Sequence, residues 1–135
     1  MDTFALLNDG YGITFCDPVC DDLGRLDGYT VHIKDRGLHA KAEIRSAALA
    51  RGPDILFSDI AQHWRGWGGK KFWHSLESDI TMTATIDSHG NISIEIQLKN
   101  TPEPGGWCAV SHVYIETNQL DHLSKQAANF FGRGP

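Results

Sequence analysis

The stretch Ile80-Thr81-Met82-Thr83-Ala84-Thr85-Ile86, the turn Asp87-Ser88-His89-Gly90-Asn91 and the run Ile92-Ser93-Ile94-Glu95-Ile96-Gln97-Leu98 decide the fold. Apolar side chains alternate with threonine in the first segment and with Ser, Glu and Gln in the second, so each has one dry and one wet face. Gly90 can take the positive φ that a tight reversal needs. An antiparallel hairpin follows. Beyond it, Thr101 to Gly106 breaks the pattern, and Trp107 to Glu116 restarts it with apolar or small residues on both faces, as expected of a central strand paired with its predecessor. Thr117 or Asn118 then caps a helix with Leu120, Leu123, Ala127, Phe130 and Phe131 on one side, and Gly132 ends it.

Toward the N-terminus, Phe72-Trp73 follows the glycine-rich Arg65-Gly66-Trp67-Gly68-Gly69. Gly52-Pro53-Asp54 is a good helix start, and Leu56, Phe57, Ile60 and Trp64 fall at helical spacing, which predicts a helix running to about Gly66 with that stripe against a sheet. Ala47 to Arg51 settles neither helix nor strand. Tyr29, Val31 and Ile33, the turn Asp35-Arg36-Gly37, and Leu38, Ala40, Ala42 and Ile44 form a second hairpin with one dry face. Gly12 to Phe15 predicts a short first strand ending at Pro18, and Asp17 to Gly28, with four aspartates and one base, reads as a solvated acidic loop. The order is strands, helix, strands, helix with short connections. That predicts one α+β domain over residues 1–135: a single antiparallel sheet of about six strands packed by two α-helices.

The chain has 135 residues, is 41% hydrophobic and 21% charged, and has a mean hydropathy of -0.30, which places it among ordinary globular domains. Seventeen acids against 12 bases give a net charge of -5, which disfavours nucleic acid and suits a basic partner. The longest apolar runs, such as Phe4 to Leu7, are far too short to span a membrane. The N-terminus lacks a basic segment and a long apolar one, so a cytoplasmic location is expected. Cys16, Cys20 and Cys108 are an odd set, for which reduced thiols are the default.

Several constellations of residues could carry chemistry. Cys108 and His112 share a strand face, and Cys16 and Cys20 are four apart, but neither forms the paired ligand pattern of structural zinc. Cys108 with His112 and Asp121, or Ser75 with His74 and Glu77, would be triads only if folding assembled them, and no G-x-S-x-G elbow is present. Glu43 and Glu95 lie on polar strand faces, where solvated carboxylates are the ordinary expectation. Gly66 to Lys71 lacks the spacing of a phosphate-binding loop. The expectation is a non-enzyme with no metal and no cofactor.

Trp64-Arg65-Gly66-Trp67-Gly68-Gly69, then Trp73, Ser75-Leu76-Glu77, the Thr81–Thr85 strand and Asp87 to Ile92 resemble a family of small bacterial domains, with a more distant likeness to WapI-type immunity proteins of polymorphic toxin systems. The likeness covers about residues 55–98, echoes in Asn118-Gln119-Leu120 and Phe130-Phe131, and is silent before Tyr29. It implies a bacterial cytosolic protein that binds and neutralises a toxin domain, by covering its active site, without catalysis. The acidic balance fits capture of a basic partner. The expected contact surface comprises Asp17, Asp21, Asp22 and Asp27 on the acidic loop, Asp54, Asp59, Glu77 and Asp79 around the tryptophan corner, and Trp67 as an exposed anchor. Two other readings compete: a small-ligand module with a pocket lined by Trp64, Trp67 and Trp73, and a hydrolase or metal enzyme using the Cys108 and His112 face.

Overall fold

The computed structural model describes residues 2–46, 52–101 and 103–132. The Ala47 to Arg51 segment, which the sequence left open, and Pro102 of the Thr101 to Gly106 break lie outside the described residues. Eight strands and two helices follow in order: β1 (Phe4–Asn8), β2 (Tyr11–Cys20), β3 (Leu26–Asp35), β4 (Leu38–Arg45), α1 (Asp54–Gln62), β5 (Lys71–His74), β6 (Ile80–Ile86), β7 (Asn91–Lys99), β8 (Cys108–Glu116) and α2 (Leu120–Phe131), the last entered through a 3-10 turn at Thr117–Gln119. They form two four-stranded antiparallel meanders, β1-β2-β3-β4 and β5-β6-β7-β8, in place of the expected single sheet of about six strands. Two strands were added, and the set divides at α1.

The reasons are local. Phe4 to Leu7 shows no alternation in sequence, yet Phe4 and Leu6 are buried while Leu7 is exposed, so β1 is an ordinary half-buried strand paired with β2. The expected acidic loop is largely strand. At Asp17, which takes φ 49°, the β2–β3 register slips between Cys16 and Val19; this bulge accommodates Pro18 and lets β2 continue to Cys20. Only residues 21–25 turn the chain. The two hairpins expected from alternation form as read, with Gly37 at φ 69° and Gly90 at φ 82° in their turns.

One core joins the two sheets. Ile13, Val31, Ile33, Ala42 and Ile44 of the N-terminal sheet and Met82, Ala84, Ile92, Ile94, Ile96 and Val113 of the C-terminal sheet belong to a single buried cluster. The helices close one side of it. Phe57 of α1 and Phe130 and Phe131 of α2 meet Phe4, Phe15 and Tyr29 in a mesh of edge-on rings, with Phe15 and Phe131 centroids 5.0 Å apart and Phe4 and Phe57 5.4 Å apart. α1 ends at Gln62, about a turn short of the expected limit, where the His63 N–H reaches the carbonyls of both Asp59 and Ile60. Trp64 therefore leaves the apolar stripe.

A polar clip spans the sheets at β1 and β8. The Asn8 side-chain amide donates to the Tyr114 carbonyl at 3.0 Å and its Oδ1 accepts from the Tyr114 N–H at 2.8 Å. One asparagine thus supplies both halves of a strand-like pairing to the outer edge of β8. Nearby, the Ser111 hydroxyl donates to Asp35 Oδ2 at 2.9 Å, tying the β3–β4 turn to the same strand.

Candidate partner-binding surface

β8 is a terminal strand of its sheet and not the central strand expected from its composition. Ala109, Ser111, Val113 and Ile115 point inward, while Cys108, Val110, His112, Tyr114 and Glu116 point to solvent. The apolar residues on its second face are there without a covering layer. Register extends this outer face across the sheet: Phe72 of β5, Thr83 of β6, Glu95 of β7 and His112 of β8 form one row, with Val110 and Tyr114 two residues to either side of His112. Phe72 is 69% exposed, Tyr114 63% and Val110 45%. Between them lie half-buried Thr81, Thr83, Thr85 and Ser93. Among the described residues the polar contacts that cross the face are loose, His112 Nε2 to Glu95 Oε1 at 3.4 Å and the Thr81 hydroxyl to Gln97 Oε1 at 3.4 Å. Four strands at about 4.8 Å spacing make a surface about 15 Å across from outer strand to outer strand. Aromatic and aliphatic anchors on a flat polar ground are the composition of a protein-contact patch.

The tryptophan corner is built differently from its expected form. Trp73 is buried in the core. Trp67, expected as an exposed anchor, is half-buried against the core, with the Lys71 ammonium 5.5 Å from its ring centroid. Its indole Nε1 is buried without a hydrogen-bond partner, which leaves a desolvated donor in the corner. Trp64 is the exposed indole, at 51%, with the Arg65 guanidinium 5.1 Å from its ring centroid. Trp64, Trp67 and Trp73 thus differ in burial: exposed, half-buried and buried in turn. Two grooves of about 460 and 370 Å³ lie elsewhere, the first lined by residues that include Asp17, Asp27, Lys41, Glu43 and Arg45, the second by the loop around Trp107.

The eight candidate acids fall into three groups. Asp17, Asp21, Asp22 and Asp27 gather at the β2–β3 end. There Asp21 closes the turn: its Oδ1 accepts the N–H groups of Leu23 and Arg25, both at 2.9 Å, and its Oδ2 the Arg25 Nε at 2.9 Å. These bonds, the Arg25 N–H foremost, hold its carboxyl below the usual aspartate range. On α1, Asp54 occupies the first turn, and Asp59 is engaged by His63 at 2.9 Å and Lys71 at 3.0 Å. Glu77 is exposed beyond β5. Asp79, offered as a contact residue, is only 6% exposed. Its Oδ1 accepts the Ser75 hydroxyl, whose oxygen in turn accepts the Ile80 N–H at 3.1 Å, so it braces the β5–β6 connection from within. Burial, with the charges of Asp79 and Asp54 adding to it, pushes the Tyr29 phenol well above its ordinary value.

Cys108 and His112 share the outer face of β8, and Cys16, Cys20 and Cys108 are free thiols. His32 Nδ1 and His39 Nε2 face each other at 3.3 Å on the outer face of the N-terminal sheet. Burial, then the neighbouring His39 and Lys41, lower the His32 pKa. Among the described residues, no three or more His, Cys, Asp or Glu side chains group so as to hold a metal ion. Nor is any helix among them long and apolar enough to cross a membrane. The residues missed by sequence reasoning are Phe72, Val110 and Tyr114. The signal was present in the apolar wet-face positions of β8, which were assigned to a covering layer.

The chain belongs to a family of unknown function, DUF6228, whose model matches residues 7–134. The match takes in nearly all of the N-terminal meander, including the residues before Tyr29 on which the resemblance is silent. No curated protein and no solved structure matches the chain.

Proposed function

We propose that this protein is a non-catalytic, cytoplasmic binding protein whose partner is another protein, engaged on the outer face of the β5–β8 sheet. The observation that carries the reading is the exposure of Phe72, Val110 and Tyr114 on one open four-stranded face. Large side chains held by a rigid sheet lose little conformational freedom on contact, which suits them as anchors. The more distant likeness of the region over residues 55–98 to WapI-type immunity proteins supports one partner class, a bacterial toxin domain that the bound protein blocks. The net charge of -5 adds attraction toward a basic partner, with Asp17, Asp22, Asp27 and Glu77 as solvated acids that steer encounter.

Co-expression with the toxin-like product encoded directly upstream tests this. The expected result is rescue of growth and a 1:1 complex on sizing, both lost on the paired change Phe72→Asp and Tyr114→Asp, with the isolated variant retaining native circular dichroism. Rescue without a complex, or a complex indifferent to both changes, overturns the proposal.

A further inference from the structure

Three of the four outer strands are short or already engaged. β1 has five residues and β5 four, while β8 carries the Asn8 amide on its outer edge at Tyr114. The remaining one, β4, runs unbroken for eight residues, pairs with β3 without a register shift and contains no proline. Its free side can be assigned. The Ser46 N–H donates to the Asp27 carbonyl at 2.8 Å, toward β3. Alternation then turns the backbone groups of Ala40, Ala42 and Ile44 to β3, and those of His39, Lys41, Glu43 and Arg45 to the outer edge, which is open in that no strand among the described residues pairs with it. All four of these residues have exposed side chains. A long, regular edge of this kind is a template for another strand.

The order of side chains selects the strand that fits. When β4 is laid antiparallel on a second β4 about a twofold axis at Ala42, Lys41 stands opposite the partner's Glu43 and Glu43 opposite the partner's Lys41. His39 stands opposite the partner's Arg45. Every outward N–H and carbonyl then meets an outward group, and the inward row sets Ala42 against the partner's Ala42 and Ala40 against the partner's Ile44, which keeps both cores on one side. Centring the axis on Lys41 or on Glu43 instead opposes like charges, which destabilises a directly facing pair. We propose that this protein associates with a second copy of itself through β4, joining the two N-terminal sheets into one continuous eight-stranded sheet. The interface is isologous and closes at two chains. It leaves the outer face of β5–β8 free and does not depend on that face's role.

Sedimentation equilibrium of the full chain tests the pairing by charge exchange. The wild type is expected to approach the mass of two 14.9 kDa chains as concentration rises. Lys41→Glu alone and Glu43→Lys alone each put like charges opposite across the twofold, and each is expected to weaken association about tenfold or more. The two changes together exchange the charges and restore it. Glu43→Pro removes an N–H that points only to the open edge, and is expected to give a monomer with unchanged far-ultraviolet circular dichroism. A wild type that stays monomeric overturns the proposal. So does association that survives Glu43→Pro, or single charge variants that associate as the wild type does.

Discussion

Replacing Asn8 with alanine removes both hydrogen bonds of the clip between β1 and β8 while leaving the strand pairing of β1 with β2 untouched. Each bond is worth about 0.5–1.5 kcal/mol net. The site is exposed, so water re-satisfies the Tyr114 groups and the loss falls in the lower half of the sum, about 1–2 kcal/mol. For a domain of this size that lowers the melting temperature by about 3–8 °C. Urea unfolding with an unchanged slope and a lower midpoint is the assay. Faster hydrogen exchange at the Tyr114 amide, with β6–β7 amides unchanged, places the loss at the clip. Asn8→Asp adds a signature in pH. It keeps an acceptor for the Tyr114 N–H but sets a second oxygen against the Tyr114 carbonyl, so it is destabilised at neutral pH. Protonation supplies the missing O–H donor, and the deficit relative to wild type at the same pH narrows as pH falls through the carboxyl range. An alanine variant within about 0.5 kcal/mol of wild type, with the Tyr114 amide equally protected, would refute the reasoning.

Three further outcomes are expected. Tyr29, whose raised pKa stabilises its neutral form in the fold, contributes fully below the unfolded value near 10, and stability falls as pH rises above it by up to about 1.4 kcal/mol per pH unit; Tyr29→Phe flattens that decline in alkaline urea titrations. Ile94→Ala, at a fully buried position in the middle of β7, costs about 2–5 kcal/mol by calorimetry or urea, whereas Glu95→Ala next to it on the outer face stays within about 0.5 kcal/mol. Gly12→Ala forces a Cβ to 2.0 Å from the Leu6 carbonyl oxygen at φ 147°, so the β1–β2 hairpin must shift, with a loss of about 1–3 kcal/mol and of Leu6 and Ile13 amide protection.

Alternation in β3, β4, β6 and β7 made those strands and their hairpins readable, because a period of two reports burial on one face directly. It does not report which strands share a sheet. Grouping all six expected strands together ignored the break that α1 imposes, and only backbone pairing across the whole chain resolves it. β5 is four residues long and follows three glycines and a lysine, too short for a pattern to register. β2 was cut at Pro18 because proline usually ends a strand, and the bulge that tolerates it has no sequence signature beyond Asp17-Pro18. The candidate acids were legible as residues, but their duties were not. Asp21, Asp59 and Asp79 already bind turn amides, neighbouring cations and a serine hydroxyl, and a carboxylate's partner depends on tertiary closure. The exchange of roles between Trp64 and Trp67 turns on where α1 stops, a helix terminus being the least determined part of any helix.

Among the described residues, every strand pairs through its backbone ladder only with a neighbour in sequence. Each pairing therefore closes a short loop at small entropic cost, and either meander can form without waiting for the other. What remains after the hairpins are made is one long closure, which brings Phe4 to Phe131 and Asn8 to Tyr114 across nearly the whole chain. With the hairpins already made when that docking begins, substitutions within them should chiefly slow folding, whereas those in the aromatic mesh at Phe4, Phe15 and Phe131, which closes last, should chiefly change how fast the native state opens.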